Sequence, residues 1–338
     1  MSMMSVGDMA LSFQMRKQNA QLKQQMVERN QEVITGHAYD LGKRVTGDFM
    51  SLAAVDRSLE MLDAYDTAVT EAEVFATASQ AALGVVTDVA QDIAPLLVSS
   101  VTNASSNSQD TLARDAREKL GTVVSALNTQ IAGRFAFAGV DTGNKPLVDV
   151  DTLLSQAATA AGGATDAATL ITAISDWFDA PAGGGGFVDT AYGGSETPLA
   201  SFRIGPGEEA RLEVTAADQP IRDTLKGLVL ASLIDEGVVP LDVQARREVA
   251  MTAGTTILGA DSGVIGLRAD LGTTEAKIAE AQTRNSAERA ALEIARLGQI
   301  SVDPYDTATA LQALQTQMES LYTLTARISR LSFADFMR

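Results

Sequence analysis

Apolar residues along this chain fall mostly at helical spacings, and the stripes they draw are narrow. Over roughly residues 5–35 they include Leu11, Met15, Leu22, Met26 and Val33, while the other faces carry Gln, Asn, Lys and Arg. Leu11, Leu22 and Val33 recur every eleven residues, about 3.67 per turn, which holds a stripe on one side of a nearly straight helix. Gly36, Gly42 and Gly47 then punctuate a loop. A second run through Leu59, Leu62, Val69, Ala76, Leu83, Val86, Ala90, Ile93 and Leu97 steps by threes, fours and sevens. That spacing predicts a long helix with a coiled-coil-like seam. The polar stretch VTNASSNSQD at 101–110 separates it from a third helix over about 109–131, with Ser108 or Asp110 as N-cap.

The last third mirrors the first. After DQP at 218–220, helical sequence runs with interruptions from Ile221 to about Gly298, breaks at SVDPYD and resumes. In the final helix Leu311, Leu314, Met318, Leu321, Thr325 and Ile328 step by three, four, three, four, three, the clearest heptad seam in the chain. The middle differs. Residues 139–217 carry AAGGATDAAT, the GGGG of 183–186 and YGGS, then LASFRI-GPGEE-ARLEV, which reads as a hairpin. Phe202 and Ile204 alternate on one strand and Leu212 and Val214 on the other.

Narrow stripes at both ends need partners. The economical arrangement is mainly α: a discontinuous antiparallel bundle built from the N- and C-terminal segments, with a small β-containing domain inserted at its far end. The expected division is a terminal helical assembly domain (1–45 plus 299–338), a helical rod (46–138 plus 218–298) and a variable α/β distal domain (139–217). Gly133 is expected to end the outgoing helix, with RFAFAG as an extended lead into the distal domain.

Composition narrows the function. The 46% apolar content comes with only 5% aromatics and one Trp in 338 residues, so helices burying narrow stripes fit better than one large core. The net charge of −17 repels nucleic acid and anionic membrane surfaces, and keeps a self-associating chain soluble before assembly. With no cysteine there is no disulfide or thiolate metal site. The start, MSMMSVGDMALSFQMRKQNAQ, lacks an apolar core of signal-peptide length. LKGLVLASLI at 225–234 is interrupted by Lys226 and too short to cross a bilayer. A cytosolic location is expected, unless a route that ignores signal peptides exports the chain.

Candidate chemistry dissolves on inspection. His37 is the only histidine and has no nucleophile elbow near it. The GGGG run lacks the Gly-Lys-Ser/Thr of a phosphate loop, and GADSGVIG at 259–266 misses the dinucleotide spacing. Asp149 and Asp151 lack the rest of a calcium loop. The pairs Glu208-Glu209 and Asp235-Glu236 sit beside turn glycines as solvated charge. Methionines at 1, 3, 4, 9, 15 and 26 divide between core packing and an adaptable contact surface. No catalytic, cofactor or metal site is expected.

Two segments carry a family resemblance. GRFAFAG at 133–139 (Gly133, Arg134, Phe135, Phe137 and Gly139) resembles the Gly-Arg-aromatic-x-Phe-Ala-Gly element of the hook-filament junction proteins (hook-associated protein three) within the flagellin superfamily. The ending from Asp303 through SLYTLTARISRLSFADF resembles the same group and lacks the Asn-Gln-x-Pro segment of filament flagellins. The loop ITGHAYDLGKRVTGDF departs from the family's Pro/Ser-Asp-Asp pattern, so no loop contacts are carried over.

The resemblance implies a structural protein of the bacterial flagellum. It would be exported by the flagellar type III system with a chaperone, and would join the hook, via hook-associated protein one, to the flagellin filament. It implies homo-oligomerisation through the terminal helices, with no nucleic acid and no membrane insertion. Applied to this sequence, the assembly stripe is Leu11, Met15, Leu22 and Met26 at one end. Leu311, Leu314, Met318, Leu321 and Ile328, then Leu331, Phe333 and Phe336, form it at the other. The competing readings are a filament flagellin, which the two motifs disfavour, and a soluble helical scaffold or chaperone.

Overall fold

The computed structural model describes the backbone of residues 6–103, 106–237 and 242–336, and their side chains apart from those of 6–8, 101–103, 106–107 and 329–336. About three-quarters of the described residues are helical, with antiparallel helix packing, and the sheets among them are small and two-stranded. It divides into two compact units: unit 1 is Met1–Met61 with Ala287–Arg338, and unit 2 is Leu62–Ser286.

Unit 1 is built on α1 (Val6–Thr35) and α10 (Pro304–Phe336), which pack side by side. They run antiparallel: Thr325 reaches Met15 near one end, while His37 and Ser301 form an antiparallel bridge at the other. The turn there is tied twice, Ala38 N–H to Ile300 O at 2.8 Å and Val302 N–H to Gly36 O at 3.0 Å. Glu32, buried, accepts the Tyr39 N–H at 3.0 Å and pairs with Arg29 at 2.6 Å. Asp303 caps α10, accepting from the N–H groups of Tyr305 (2.8 Å) and Asp306 (3.2 Å), with Pro304 at the position where a missing N–H costs nothing. The short α2 (Leu41–Arg44) lies in the first loop and is capped by Asp40. The parts of α3 (Met50–Asn103) and α9 (Val243–Ile300) in this unit are joined by Arg296–Asp56 at 2.7 Å and Gln299–Ser51 at 3.0 Å.

Unit 2 holds the core. The seam read from spacing is inside: Leu62, Val69, Ala76, Leu83, Val86, Ala90, Ile93 and Leu97 of α3 are all buried. By length and composition α3 could cross a membrane, but these side chains belong to the protein's own core. Against it lie α4 (Ser106–Leu127), α9 and α8 (Gln219–Glu236). LKGLVLASLI belongs to α8, which is buried on every face from Thr224 to Ile234. Close helix approach is made possible by glycine. A Cβ on Gly227 would sit 2.4 Å from Ile257 Cγ1, and one on Gly254 would sit 2.8 Å from Val98 Cγ2.

Two local expectations change. The third helix starts at Ser106 and ends at Leu127, not at Gly133. Ser108 and Asp110 both lie inside it and not at its N-cap, and the Asp110 carboxylate pairs with Arg246. The helix stops early because Asn128 pairs with the Leu147 backbone, donating to its O at 3.0 Å and accepting its N–H at 2.9 Å. Beyond it the chain turns back as a hairpin, β1 (Gln130–Ile131) against β2 (Arg134–Phe135), closed by Ala132 and Gly133 at φ 49° and 83°. Two successive positive φ values are the geometry whose twist suits a two-residue turn.

The remaining elements are α5 (Val150–Ala160), α6 (Ala167–Asp179), α7 (Phe187–Thr190), β3 (Phe202–Gly205) and β4 (Glu208–Ala210). Trp177, Phe178 and Phe187 form one aromatic cluster, with centroids 4.9–5.9 Å apart. A hairpin forms where expected, β3–β4 turning at Gly205-Pro206-Gly207 with Phe202 and Ile204 buried, but its second strand is Glu208–Ala210, so Leu212, buried, and Val214, half-buried, lie beyond it and not on it. It folds onto the long helices: Asn285 of α9 donates to Ile204 O at 3.0 Å, Phe202 meets Phe75 of α3 at 6.0 Å, and Arg203 lies 5.9 Å over Tyr65.

Candidate assembly surface

The loop residues considered for chemistry are occupied by their own chain. Asp149 and Asp166 are N-caps, and hydrogen bonds from Thr152 and Thr169 lower their carboxyl pKa values. Asp151 pairs with Arg117 at 2.8 Å. The GGGG loop is wrapped around Asp189, whose carboxylate accepts the N–H groups of Gly183 (2.8 Å) and Gly185 (2.7 Å) and is thereby held below its usual pKa. Donors that could cradle a phosphate are spent on a side chain. An open cleft of about 690 Å³ between the segment after β3 and α9 is lined by Glu209, Arg211, Glu213, Asp270 and Lys277 among others, with no histidine in its lining. Among the described residues no three His, Cys, Asp or Glu side chains cluster as metal ligands.

The family-motif residues form a structural knot inside unit 2. Arg134 pairs with Glu71 and lies 4.9 Å over the Phe75 ring. Phe135 is half-buried and its N–H reaches Thr142 O at 2.8 Å. Phe137 is fully buried, and its carbonyl accepts the Ala216 N–H at 3.0 Å and the Tyr192 hydroxyl at 3.3 Å. Burial raises the Tyr192 pKa, so that hydroxyl stays a donor. Gly139 has φ 61°, and a Cβ there would fall 2.3 Å from the carbonyl oxygens of Ser195 and Thr197. The motif therefore fastens the insert to the helices; it presents no reactive group.

Unit 1 is different. Leu22 is buried between α1 and α10, while Met15, Met26, Leu311, Leu314, Met318, Leu321 and Ile328 are half-buried and Leu11 is 41% exposed. The side chains of Leu331, Phe333 and Phe336 lie outside the described residues. A pair of helices covers one stripe on each member and leaves the rest open. On α1 the open stripe is Phe13, Ala20, Val27 and Ile34 at seven-residue intervals, with Phe13 65% and Ile34 74% exposed. Val33 is exposed too, and Tyr305, Tyr322 and Leu324 stand out from α10. Among the described residues, most of the exposed large hydrophobic ones lie in unit 1, the smaller unit. Sequence reading missed this second stripe, although its seven-residue period was present.

Residues 256–336, most of α9 with α10, match the family described as the bacterial flagellin C-terminal helical region. The chain resembles the flagellins. This flagellin-like chain also superposes on the structure of a flagellar hook-associated protein from Vibrio parahaemolyticus, with 11% identity and a TM-score of 0.43, over 71% of this chain and 95% of that one. No curated protein matches the flagellin-like chain in sequence.

Proposed function

We propose that the chain is a structural, non-enzymatic subunit of the bacterial flagellum, polymerised through its terminal helices. The observation that carries this reading is the coincidence of the flagellin C-terminal match over 256–336 with a helix pair in unit 1 that leaves the Phe13/Val27/Ile34 stripe exposed. Each such side chain covered by a neighbour contributes about 1.5–3 kcal/mol. Any ordering of the terminal helices on assembly offsets part of that gain.

Within the flagellum, the proposed place is the junction, between hook-associated protein one and the flagellin filament. The supports are GRFAFAG at 133–139 and the ARISRLSFADF ending, which resemble the junction proteins. On this reading the chain is delivered by the flagellar type III apparatus with an export chaperone and works outside the cell. The assembly stripes are Leu11, Met15, Leu22 and Met26 with Leu311, Leu314, Met318, Leu321 and Ile328. Filament flagellin is the second reading, favoured by the family description of the matched region.

Deletion of the gene separates the two. Bare hooks with flagellin shed into the medium are the expected result. Intact filaments overturn the junction role, and disappearance of flagellin from cells and medium assigns the chain to the filament itself.

A further inference from the structure

Within unit 2, α9 buries Ala253, Ile257, Ala260 and Val264 and turns its opposite flank to solvent. On that flank Met251, Leu258 and Ile265 stand seven residues apart, 45%, 48% and 47% exposed. Thr255, Ser262 and Ala269 fill the alternate four- and three-residue steps, and all are exposed. The two charged residues in this stretch are directed elsewhere. Asp261 is within 3.4 Å of Gln91 of α3, and Arg268 donates to Gln80 of α3 at 3.1 Å. A chain of net charge −17 thus keeps an uncharged ridge about 27 Å long, its large side chains about 10.5 Å apart.

A matching surface exists on the same unit. Val85 of α3 with Gly121, Thr122, Ser125, Ala126 and Thr129 of α4 and the turn after it line an open groove of about 650 Å³, with Glu118 as its one charged residue. Gly121, Thr122, Ser125 and Ala126 lie on the last two turns of α4, and Thr129 closes the groove beyond the helix end at Leu127. Small side chains at the end of a helix leave room for a large side chain from a neighbour. Two copies that each carry −17 repel, so close contact is favoured where neither presents charge.

We propose that the Met251/Leu258/Ile265 ridge of one copy seats in the α3–α4 groove of a second copy. Ridge and groove are different surfaces, so the contact is heterologous and propagates into a ring or an open helical array. The inference rests on the assembly reading above and specifies which faces of unit 2 meet.

The natural chain has no cysteine, so single-cysteine variants report the contact without background. Full-length Leu258→Cys is mixed with Thr122→Cys, Ser125→Cys or Thr129→Cys, concentrated, oxidised mildly and run on a non-reducing gel beside sedimentation of the same samples. The expected result is a disulfide dimer in at least one mixture, about tenfold above any variant alone, since a disulfide requires Cβ atoms about 4 Å apart. Leu258→Glu in the otherwise natural chain should leave melting unchanged and lower the sedimenting fraction. Leu258→Cys linking to itself as strongly as in the mixtures overturns the heterologous contact. Sedimenting assemblies without any mixed link overturn this interface and leave the assembly reading standing. No assemblies at any concentration overturn both.

Discussion

The Arg134 guanidinium lies 4.9 Å from the centroid of the Phe75 ring, placing a cation from the β2 strand on an aromatic face of α3. Glu71, one turn earlier on the same helix, takes the ion pair. Both charged side chains are over a third exposed, so water screens the pair, and exposed ion pairs contribute about 0–1 kcal/mol. The stacking adds about 0.5–1 kcal/mol and also shields Phe75, which is buried. Arg134→Ala should therefore cost unit 2 about 1–2 kcal/mol in denaturant unfolding, and Glu71→Gln about half a kcal/mol or less. Equal losses for the two variants would show that the ion pair, not the stacking, fastens the hairpin.

Gly133 and Gly139 open and close the same motif but are required to different degrees. Both have positive φ, which costs a side chain about 1–2 kcal/mol. Around a Cβ on Gly133 there is open space, whereas one on Gly139 meets two carbonyl oxygens at 2.3 Å. Gly133→Ala should lower stability by about 1 kcal/mol, and Gly139→Ala by about 3 kcal/mol or more, because the 195–197 segment must also move. Thermal melts of the two variants check this. A Gly139→Ala melt within a degree or two of Gly133→Ala would contradict the close approach.

Two aspartates should respond to acid in opposite senses. Burial raises the Asp218 pKa above 3.8 although its carboxylate accepts the Thr215 N–H at 2.9 Å. Its folded form binds the proton more readily, so this group favours the folded state at low pH and loses that contribution as pH rises through the raised value. Asp189 is depressed by the Gly183 and Gly185 N–H groups. Its contribution is present above 3.8 and lost as pH falls through the folded value. Asp218→Asn should flatten the decline of stability as pH rises above 3.8, and Asp189→Asn should flatten the loss as pH falls below it. Hydrogen exchange at Gly183 and Gly185 reads the second directly. Unchanged pH profiles in both variants would refute the assignment.

The long helices were legible because their seams repeat locally: Leu62 through Leu97 needed only spacing to be placed inside. The second stripe on α1 escaped because Leu11, Leu22 and Val33 overlie it with a different period, and Ala20 interrupts the heptad of Phe13, Val27 and Ile34. The early end of α4 was not legible either. It depends on Asn128 meeting Leu147, a contact set by the returning chain. The hairpin turn was visible in Gly-Pro-Gly, but not where the hairpin docks, since Ile204 finds Asn285 only after the whole insert has folded. The reading of the GGGG run as a plain loop rested on residue types alone. The carboxylate grip of Asp189 on the glycine loop supplies the physical reason for that reading.

The buried and exposed stripes of α1 make separable claims on stability and assembly. Leu22 is only 7% exposed between α1 and α10. Its removal leaves a gap in a two-helix contact that few other residues can fill, so Leu22→Ala should cost about 2–3 kcal/mol and reduce helicity of the isolated chain. Phe13 and Ile34 touch mainly solvent in the single chain, being 65% and 74% exposed. Phe13→Ser with Ile34→Ser should change unfolding by about 0.5 kcal/mol or less while removing the apolar surface a neighbouring copy would cover. Circular dichroism with sedimentation of concentrated protein tests both. Normal helicity with a tenfold or greater fall in sedimenting material is the expected signature of the double variant. Undiminished assembly would mean that the stripe is not what copies of this chain use to meet.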